Sequence, residues 1–242
     1  MVAIRALAGA DLRNVMRDSM VRFLTAYPLT LGLALHFLIP FAAARLEGRY
    51  DLSRLYPLLV GFFGLTAVPA LGGLVIGLLL LDERDDDTLT ALQVTPLPMR
   101  VYLAYRLFLP VVLTVVSVFI LIPLMDLLPV DYGALLPIGL VSALTAPILA
   151  LLFVNLAANK VQGLAYMKGL SIFMSGPFAA WFVPEPWQYL FGIFPTYWPL
   201  KAFWELEAGR SMWPWLGMGV IVALLWLAPL LRMFTRRLYR TD

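Results

Sequence analysis

The sequence predicts an all-α membrane protein with six transmembrane helices. Of its 242 residues, 62% are hydrophobic and only 14% are charged, and the mean hydropathy is +0.85. A soluble domain carries about 25% charged residues. The apolar runs are about 20 residues long, which is the length that an α-helix needs to cross a bilayer. An outer-membrane barrel would show short segments of alternating hydrophobicity instead.

Composition excludes several kinds of functional site. The chain has no cysteine, which excludes disulfides, thiol catalysis and thiolate metal sites. Its single histidine, His36, excludes a multi-histidine metal site. The net charge of +3 is too small to argue for nucleic-acid binding. No G-x-x-x-x-G-K-[ST] phosphate loop occurs, so ATP-powered work by this chain would need an ATPase on another chain.

Residues 1–22 predict an amphipathic helix on the membrane surface. Ile4, Leu7 and Leu12 fall near one face, whereas Arg5 and Arg13 fall on the other. The charges are spread through this stretch and no compact apolar core follows directly, so we do not interpret it as a signal peptide. The alternative is a solvated leader whose periodicity is accidental.

Six apolar runs follow and predict six transmembrane helices in a single membrane domain that covers residues 1–242. The second run contains Gly73 and Gly77, and small residues four apart let helix backbones approach closely. The fifth run is the shortest, and the stretch before it, Asn159 to Lys168, is predicted as a loop. The predicted spans extend from Phe23 to Ala44, Tyr56 to Leu81, Val101 to Leu124, Leu135 to Ala157, Leu170 to Phe182 and Trp215 to Phe234.

The distribution of basic residues predicts the orientation of the chain. Six spans put both termini on one side of the membrane. On that side lie 13 of the 18 lysine and arginine residues. The positive-inside rule therefore predicts that both termini, and the segment between the second and third spans, are cytoplasmic.

The segment 82–98 is the most polar stretch between two spans. Its five acidic residues precede a Thr-Leu-Thr-Ala-Leu sequence, and carboxylates favour the N-terminus of a helix. Pro96 and Pro98 then end that helix. We predict a short surface helix that contacts another protein. The first alternative is that these charges are simply solvated and contact no partner. A divalent-metal site is a weaker alternative, because no glycine turn or calcium-loop spacing accompanies the acids. The acidic residues are Asp82, Glu83, Asp85, Asp86 and Asp87.

The segment 183–214 is rich in tryptophan and proline. Tryptophan is enriched at membrane interfaces. The segment contains two helix-like pieces, Pro186 to Phe194 and Pro199 to Gly209, on either side of Pro195. We predict a short re-entrant helical hairpin at the outer face.

Polar residues within the spans offer few catalytic pairs. His36 has no acidic partner in mid-span, so a hydrogen-bonded or cavity-lining histidine is favoured over a proton relay. Intramembrane serines and threonines usually bond to their own helix backbone, so Ser171, which follows Gly169 and Leu170, is not interpreted as a protease nucleophile. Asn155 and Asn159 are predicted to end the fourth span.

The segment 82–98 resembles the loop between the second and third spans of ABC-2 type permeases, the transmembrane subunits of ATP-binding-cassette exporters. The family loop reads E-R-E-x-G-T-L-E-x-L-L-V-T-P, and Arg106 stands where the family often has a lysine. Asp87 replaces the family glycine and Thr90 replaces a glutamate. A looser similarity covers Pro186-Trp187-Gln188, Pro195-Thr196-Tyr197-Trp198 and Lys201-Ala202-Phe203. The residues that match or align with the family loop are Glu83, Arg84, Asp87, Thr88, Leu89, Leu92, Val94, Thr95 and Pro96.

The resemblance implies a permease similar to small multidrug-export subunits, in a bacterial-type inner (plasma) membrane. Two permease subunits, either identical copies or paralogues, would pair above two ABC ATPase subunits, which bind ATP and Mg²⁺; this chain would bind no cofactor itself. The loop residues would form the coupling contact with the ATPase. The cargo would be hydrophobic or amphipathic, drug-like or lipid-like, because the implied cavity lining is apolar. The residues that would line that cavity are His36, Phe62, Phe63, Thr66, Phe173 and Met174.

The residues are also compatible with two other classes of function. An ATP-independent membrane scaffold or assembly factor could use the same loop for docking. An intramembrane enzyme is disfavoured because no paired catalytic groups occur. Co-purification with an ATPase separates a scaffold from an exporter.

Overall fold

The computed structural model describes residues 19–46, 48, 50–86 and 99–238, and its elements are helices throughout. The predicted amphipathic helix at 1–22 lies outside these residues, apart from its last four positions, which begin the first long helix. Most of the predicted coupling helix, 87–98, also lies outside them.

Five stretches of the described chain are helical, long and apolar enough to cross a membrane. They are Ala26–Leu46, Leu52–Asp85, Val101–Met125, Tyr132–Leu156 and Trp213–Arg236. Five of the six predicted spans therefore coincide with a long apolar helix. The helices that build these stretches are α1 (Ser19–Leu46), α2 (Tyr56–Gly61) with α3 (Val68–Asp85), α4 (Met99–Met125), α5 (Tyr132–Ala143) with α6 (Thr145–Leu156), and α10 (Trp213–Leu238).

The helices run between two ends of the molecule. One end, which we call the terminal end because the first and last described helices begin and finish there, holds the start of α1, the end of α3, the start of α4 and the end of α10. The distal end holds the end of α1, the start of α2, the end of α4 and the start of α5. One large apolar cluster lies toward each end, around Leu121 and Tyr197 distally and around Phe153 and Leu81 terminally.

The second stretch is the central helix of the bundle, since 83% of its apolar window is buried, against 17% for α1. It begins with a 3₁₀ turn, Leu52–Leu55, and is interrupted between α2 and α3 by a π-helical segment, Phe62–Ala67. Pro69 follows that segment and has no N–H to donate to the carbonyl of Leu65. The Ser142 hydroxyl of α5 donates to this carbonyl instead, at 2.6 Å. This hydrogen bond joins the second span to α5 at the point where the second span is interrupted.

Close packing of α3 against α6 confirms the predicted role of the glycines. A Cβ atom at Gly73 would collide with the backbone oxygen of Ala146, and one at Gly77 would lie 3.1 Å from the Phe153 side chain. The two backbones therefore approach more closely than any larger residue would permit.

The predicted fifth span differs from the other five. Here the chain forms two shorter helices, α7 (Lys160–Leu170) and α8 (Ile172–Ala180), with a turn at Ser171. The prediction that Asn159 to Lys168 is a loop is wrong, because the Asn159 side chain accepts a hydrogen bond from the Gln162 N–H at 2.9 Å and caps a helix there.

The α7–α8 pair connects the two ends of the molecule. Gly163 of α7 packs against Leu81 and Phe153 at the terminal end. The Phe178 ring of α8 lies 5.1 Å from the Phe62 ring of the π-helical segment, farther along the bundle. The pair is less apolar than the other spans because it begins with a lysine and carries a second one, Lys168. A sixth membrane crossing here stays a prediction.

Asn155 lies next to the end of the fourth span, as predicted, since α6 ends at Leu156. Its side chain is buried and its amide donates to the carbonyl of Leu230 at 3.1 Å, which joins α6 to α10. Asn159, predicted to end the same span, instead begins α7.

Two helical pieces occupy the segment between α8 and α10, as predicted. They are a 3₁₀ helix, Trp187–Ile193, and α9, Tyr197–Glu207. The α9 helix packs deeply, with Tyr197, Leu200 and Ala202 fully buried. Pro177 frees the carbonyl of Phe173 in α8, and the Thr196 hydroxyl at the start of α9 donates to it at 2.6 Å. The re-entrant position in a membrane remains a prediction.

Candidate functional site

The end of α3 is held to α4 by a partly buried ion pair. The Glu83 carboxylate accepts hydrogen bonds from the Tyr102 hydroxyl and from the Arg106 guanidinium. The Arg106 Nε also donates to the Tyr102 oxygen, at 3.0 Å. Tyr102 and Arg106 lie one turn apart on α4, so both side chains point to the same neighbour. The Glu83 and Arg106 side chains are only 16% and 17% exposed.

The same end of α3 is also joined to α7. Lys160 Nζ lies 2.7 Å from the Asp82 carboxylate, and the Lys160 backbone N–H donates to the Asp85 carboxylate at 2.9 Å. A carboxylate is stabilised at a helix N-terminus because the free N–H groups and the helix dipole favour negative charge there. The Arg84 guanidinium lies 3.4 Å from the carbonyl of Ala157, next to the end of α6.

We refer to these residues as the α3-end cluster: Asp82, Glu83, Arg84, Asp85, Tyr102, Arg106 and Lys160. The cluster joins α3 to α4, to α7 and to the end of α6, immediately before the segment 87–98. Glu83 and Arg84 are the only predicted coupling residues among the described ones. Both point into the chain, so they fix the position from which the segment emerges. The predicted coupling residues outside the described part of the chain are Asp87, Thr88, Leu89, Leu92, Val94, Thr95 and Pro96.

Only part of the α3-end cluster can be predicted from the sequence. Arg106 stands where the resembling family often has a lysine. Tyr102 is not among the predicted residues. Its spacing of four from Arg106 could have indicated a shared partner on α3.

The six predicted cavity residues fall into three regions of the described chain. His36 Nδ1 lies 3.4 Å from the carbonyl of Met125, one of the carbonyls at the end of α4 without a helical partner. This contact supports the hydrogen-bonded interpretation of His36. Phe62 and Phe63 are half-buried on the π-helical segment, with ring centroids 5.2 Å apart. Thr66 is fully buried there, and its hydroxyl has no hydrogen-bond partner in the described part of the chain.

Phe173 and Met174 belong to a separate region near the start of α8. The Phe173 ring is buried and lies 5.5 Å from the rings of Phe194 and Trp226. Met174 lines a small apolar cavity of about 190 Å³ between α3, α6 and the α7–α8 turn, together with Leu71 and Leu149. This volume is below the roughly 300–1,000 Å³ that is typical of small-molecule sites.

Comparison with known proteins identifies the relatives of this chain. A family model described as "Fluoroquinolones export permease protein Rv2686c-like" matches residues 11–231. The chain belongs to this family. It is 36% identical over 232 residues to the fluoroquinolones export permease protein Rv2686c of Mycobacterium tuberculosis strain H37Rv. The same identity holds for protein MT2760 of strain CDC 1551. Each alignment covers 93% of this chain and 91% of the relative. No solved structure matches the chain significantly.

This member of the Rv2686c-like family carries a second ionic network at its distal end. Lys201 of α9 is buried, and its ammonium group lies 2.5 Å from Glu185, 2.8 Å from the Gln188 side-chain oxygen and 2.9 Å from Glu205. Arg210 binds both oxygens of Glu205, at 2.5 and 3.0 Å. Since each buried charge has opposite charges and hydrogen bonds, the network satisfies the conditions for burying ions.

The charges of this network perturb one another's protonation. The hydrogen bond from Arg210, followed by those from Lys201, lowers the pKa of Glu205 to about 2. Burial alone would lower the pKa of Lys201, but the hydrogen bonds with Glu185 and Glu205 outweigh burial and hold that pKa above its usual value. Both groups stay charged at neutral pH. Their spacing of four residues within an aromatic run was the sequence signal for this network.

Proposed function

We propose that the chain is the transmembrane permease subunit of an ATP-driven exporter of the ABC-2 type. It would move a hydrophobic or amphipathic drug-like compound out of the cytoplasm, and fluoroquinolones are the first compounds to test. The observation that carries this proposal is family membership over residues 11–231, with relatives named as fluoroquinolones export permeases. ATP would be hydrolysed by a separate subunit, which also holds Mg²⁺.

The proposed topology has six spans with both termini in the cytoplasm. Five spans are the long apolar helices, and the α7–α8 pair would supply the sixth crossing. The pair extends from the end of α3 to the aromatic rings of the π-helical segment, which supports a full traverse. The α3-end cluster would then lie at the cytoplasmic surface.

The α3-end cluster is a suitable base for an energy-coupling segment. A force applied to 87–98 would reach α3 through the chain itself. It would reach α4 through the Glu83–Arg106 pair and α7 through Lys160. Since a partly buried, hydrogen-bonded ion pair resists separation more than an exposed one, the three helices would move together at this end.

A second copy or a paralogue would complete the transport pathway. The α1 helix presents a large apolar surface, and Leu33, Phe37 and Phe41 are each about half exposed or more. Lipid covers such a surface in a monomer. In a dimer, this surface would pack against a second permease subunit, which would bring His36, Phe62 and Phe63 of both subunits toward a shared cavity.

The test is co-purification from cells that also express an ATPase subunit encoded beside this gene. The variant carrying Leu89→Asp and Leu92→Asp should lose the ATPase, because carboxylates in an apolar contact cost several kcal/mol. Tyr50→Asp is a matched control, since Tyr50 is exposed at the distal end. It should retain the ATPase. Drug-stimulated, vanadate-sensitive ATP hydrolysis should be lost in the double variant alone.

Equal recovery of the ATPase with the wild type and the double variant would contradict coupling through 82–98. Failure to recover any ATPase with the wild-type chain would contradict the ATP-driven mechanism. Efflux of fluoroquinolones that persists without the ATPase gene would do the same.

A further inference from the structure

The distal end contains a cavity that is not among the sites considered so far. It lies between the end of α4, the connection at 126–131, α5 and α9, and has a volume of about 430 Å³. This volume falls within the roughly 300–1,000 Å³ of small-molecule sites. Its walls include the side chains of Ile122, Leu135 and Phe203, all of which are at least nine-tenths buried. The cavity is therefore preformed within a single chain.

Two carboxylates give this apolar cavity a negative charge. Asp131 accepts hydrogen bonds through one oxygen from the N–H groups of Gly133 and Ala134, at 2.9 and 3.4 Å. Glu207 is half-buried and is the last residue of α9. The C-terminus of a helix carries partial negative charge, so the helix itself adds to the negative potential at this carboxylate.

The cations nearest in sequence to Glu207 are bound to other groups. Lys201 contacts Glu185 and Glu205, and Arg210 binds both oxygens of Glu205. Among the described residues, no hydrogen bond or ion pair reaches the Glu207 carboxylate. Burial accordingly raises the pKa of Glu207. A partly buried carboxylate without a cation is stabilised when a cation enters.

We propose that this cavity binds a small amphipathic organic cation. The apolar body of the ligand would lie against Ile122, Leu135 and Phe203, and its ammonium group would donate hydrogen bonds to Glu207, with Asp131 adding a second negative charge. An anion of the same shape is excluded by the two carboxylates and the α9 dipole. This binding requires neither an ATPase nor a second subunit, so it stands apart from the proposed export activity.

Binding can be measured by calorimetry on the purified full chain in detergent. The probes are 1-naphthylmethylammonium and the neutral 1-naphthylmethanol, which share an apolar body. Wild-type protein should bind the ammonium compound at least about tenfold more tightly, as expected for a charged hydrogen bond. Glu207→Gln should reduce this preference to less than about threefold. Asp51→Asn removes a carboxylate at the same end, in a different surface depression, and should leave the preference unchanged.

A second variant tests the cavity without changing its charge. Val130→Trp should fill the space, since Val130 lines the cavity, and should weaken the binding of both probes. The proposal is overturned if Glu207→Gln retains the full preference for the ammonium probe, or if Val130→Trp binds both probes as the wild type does.

The same chemistry could come from a free compound or from the amine headgroup of a lipid. Nanodiscs of phosphatidylethanolamine and of phosphatidylcholine distinguish these sources. Weaker binding of the ammonium probe in phosphatidylethanolamine discs would identify the lipid amine as the occupant. Equal affinity in both kinds of disc would identify a free compound.

Discussion

At the scale of single residues, polar side chains repeatedly bond to carbonyls that helices leave free. The Ser142 hydroxyl donates a hydrogen bond to the carbonyl that Pro69 leaves without a helical partner in the second span. The Thr196 hydroxyl does the same for the carbonyl that Pro177 leaves free in α8. His36 lies beside a carbonyl at the end of α4. An unpaired backbone group in a membrane costs several kcal/mol. These side chains therefore allow prolines and helix ends to lie within the bundle.

Lys201 is the residue whose loss should be most damaging. Lys201→Met leaves Glu205 buried beside Arg210 alone, and breaking a buried ion pair by removing one partner costs about 3–5 kcal/mol. We expect a clear fall in the melting temperature of the purified chain. Lys168→Met removes an exposed lysine of α7 and should change stability by no more than about 0.5 kcal/mol. Equal melting temperatures for the two variants would refute a structural role for the network.

At the scale of elements, most of the long helices could be predicted from the apolar runs, because their length and composition allow no other structure in a bilayer. The interruptions could not. Pro69 leaves the carbonyl of Leu65 without a helical partner, and the group that bonds to this carbonyl, Ser142, is distant in sequence. The α7 helix was predicted as a loop because Lys160 and Lys168 suggested solvent, whereas Lys160 contacts Asp82 in the structure.

The candidate site was less predictable than the helices. The acidic residues before 87–98 were recognised as important, but their partners Tyr102, Arg106 and Lys160 lie on other helices. A single sequence read by itself carries no record of such pairings. The Lys201–Glu205 pair was accessible in principle, because residues four apart share one helix face.

The contact of α3 with α6 gives a prediction at this scale. Gly73→Ala should destabilise the chain by about 1–3 kcal/mol, because the new methyl group collides with the backbone of Ala146. Gly217→Ala is the matched control in α10, where a Cβ meets no atom within 4 Å. It should stabilise the chain by up to about 1 kcal/mol through helix propensity. Thermal unfolding distinguishes the two signs, and stabilisation by both variants would contradict the packing.

At the scale of the whole molecule, the number of membrane crossings decides on which side of the membrane the α3-end cluster and the cavity at Glu207 lie. With six crossings, the α3-end cluster and the ends of the chain share one side of the membrane, and the cavity at Glu207 opens to the other. With five crossings, the segment that carries Trp187 and α9 would lie on the same side as the α3-end cluster, away from the end of α4 and the start of α5 against which α9 packs in the structure. The absence of cysteine from the sequence makes the distinction experimentally simple.

Single cysteines introduced at exposed positions should report the side directly. In intact cells, a membrane-impermeant maleimide should label Tyr50→Cys and Trp187→Cys. It should label Val161→Cys only after the cells are permeabilised. These three side chains are 75%, 65% and 77% exposed, so access within the fold is similar. Labelling of Trp187→Cys and Val161→Cys from the same side would establish five crossings.

The glycine contact between α3 and α6 has a consequence for how the protein can change shape. Helices whose backbones touch cannot slide or rotate against each other without separating, so these two form a rigid unit, to which Asn155 attaches α10. Under the proposed export function, a change between inward-facing and outward-facing states would involve the less constrained parts. The α1 helix has little buried surface, and the α7–α8 pair is divided at Ser171. Transport would thus proceed by hinging of α8 about Ser171 and tilting of α1 against a stationary core.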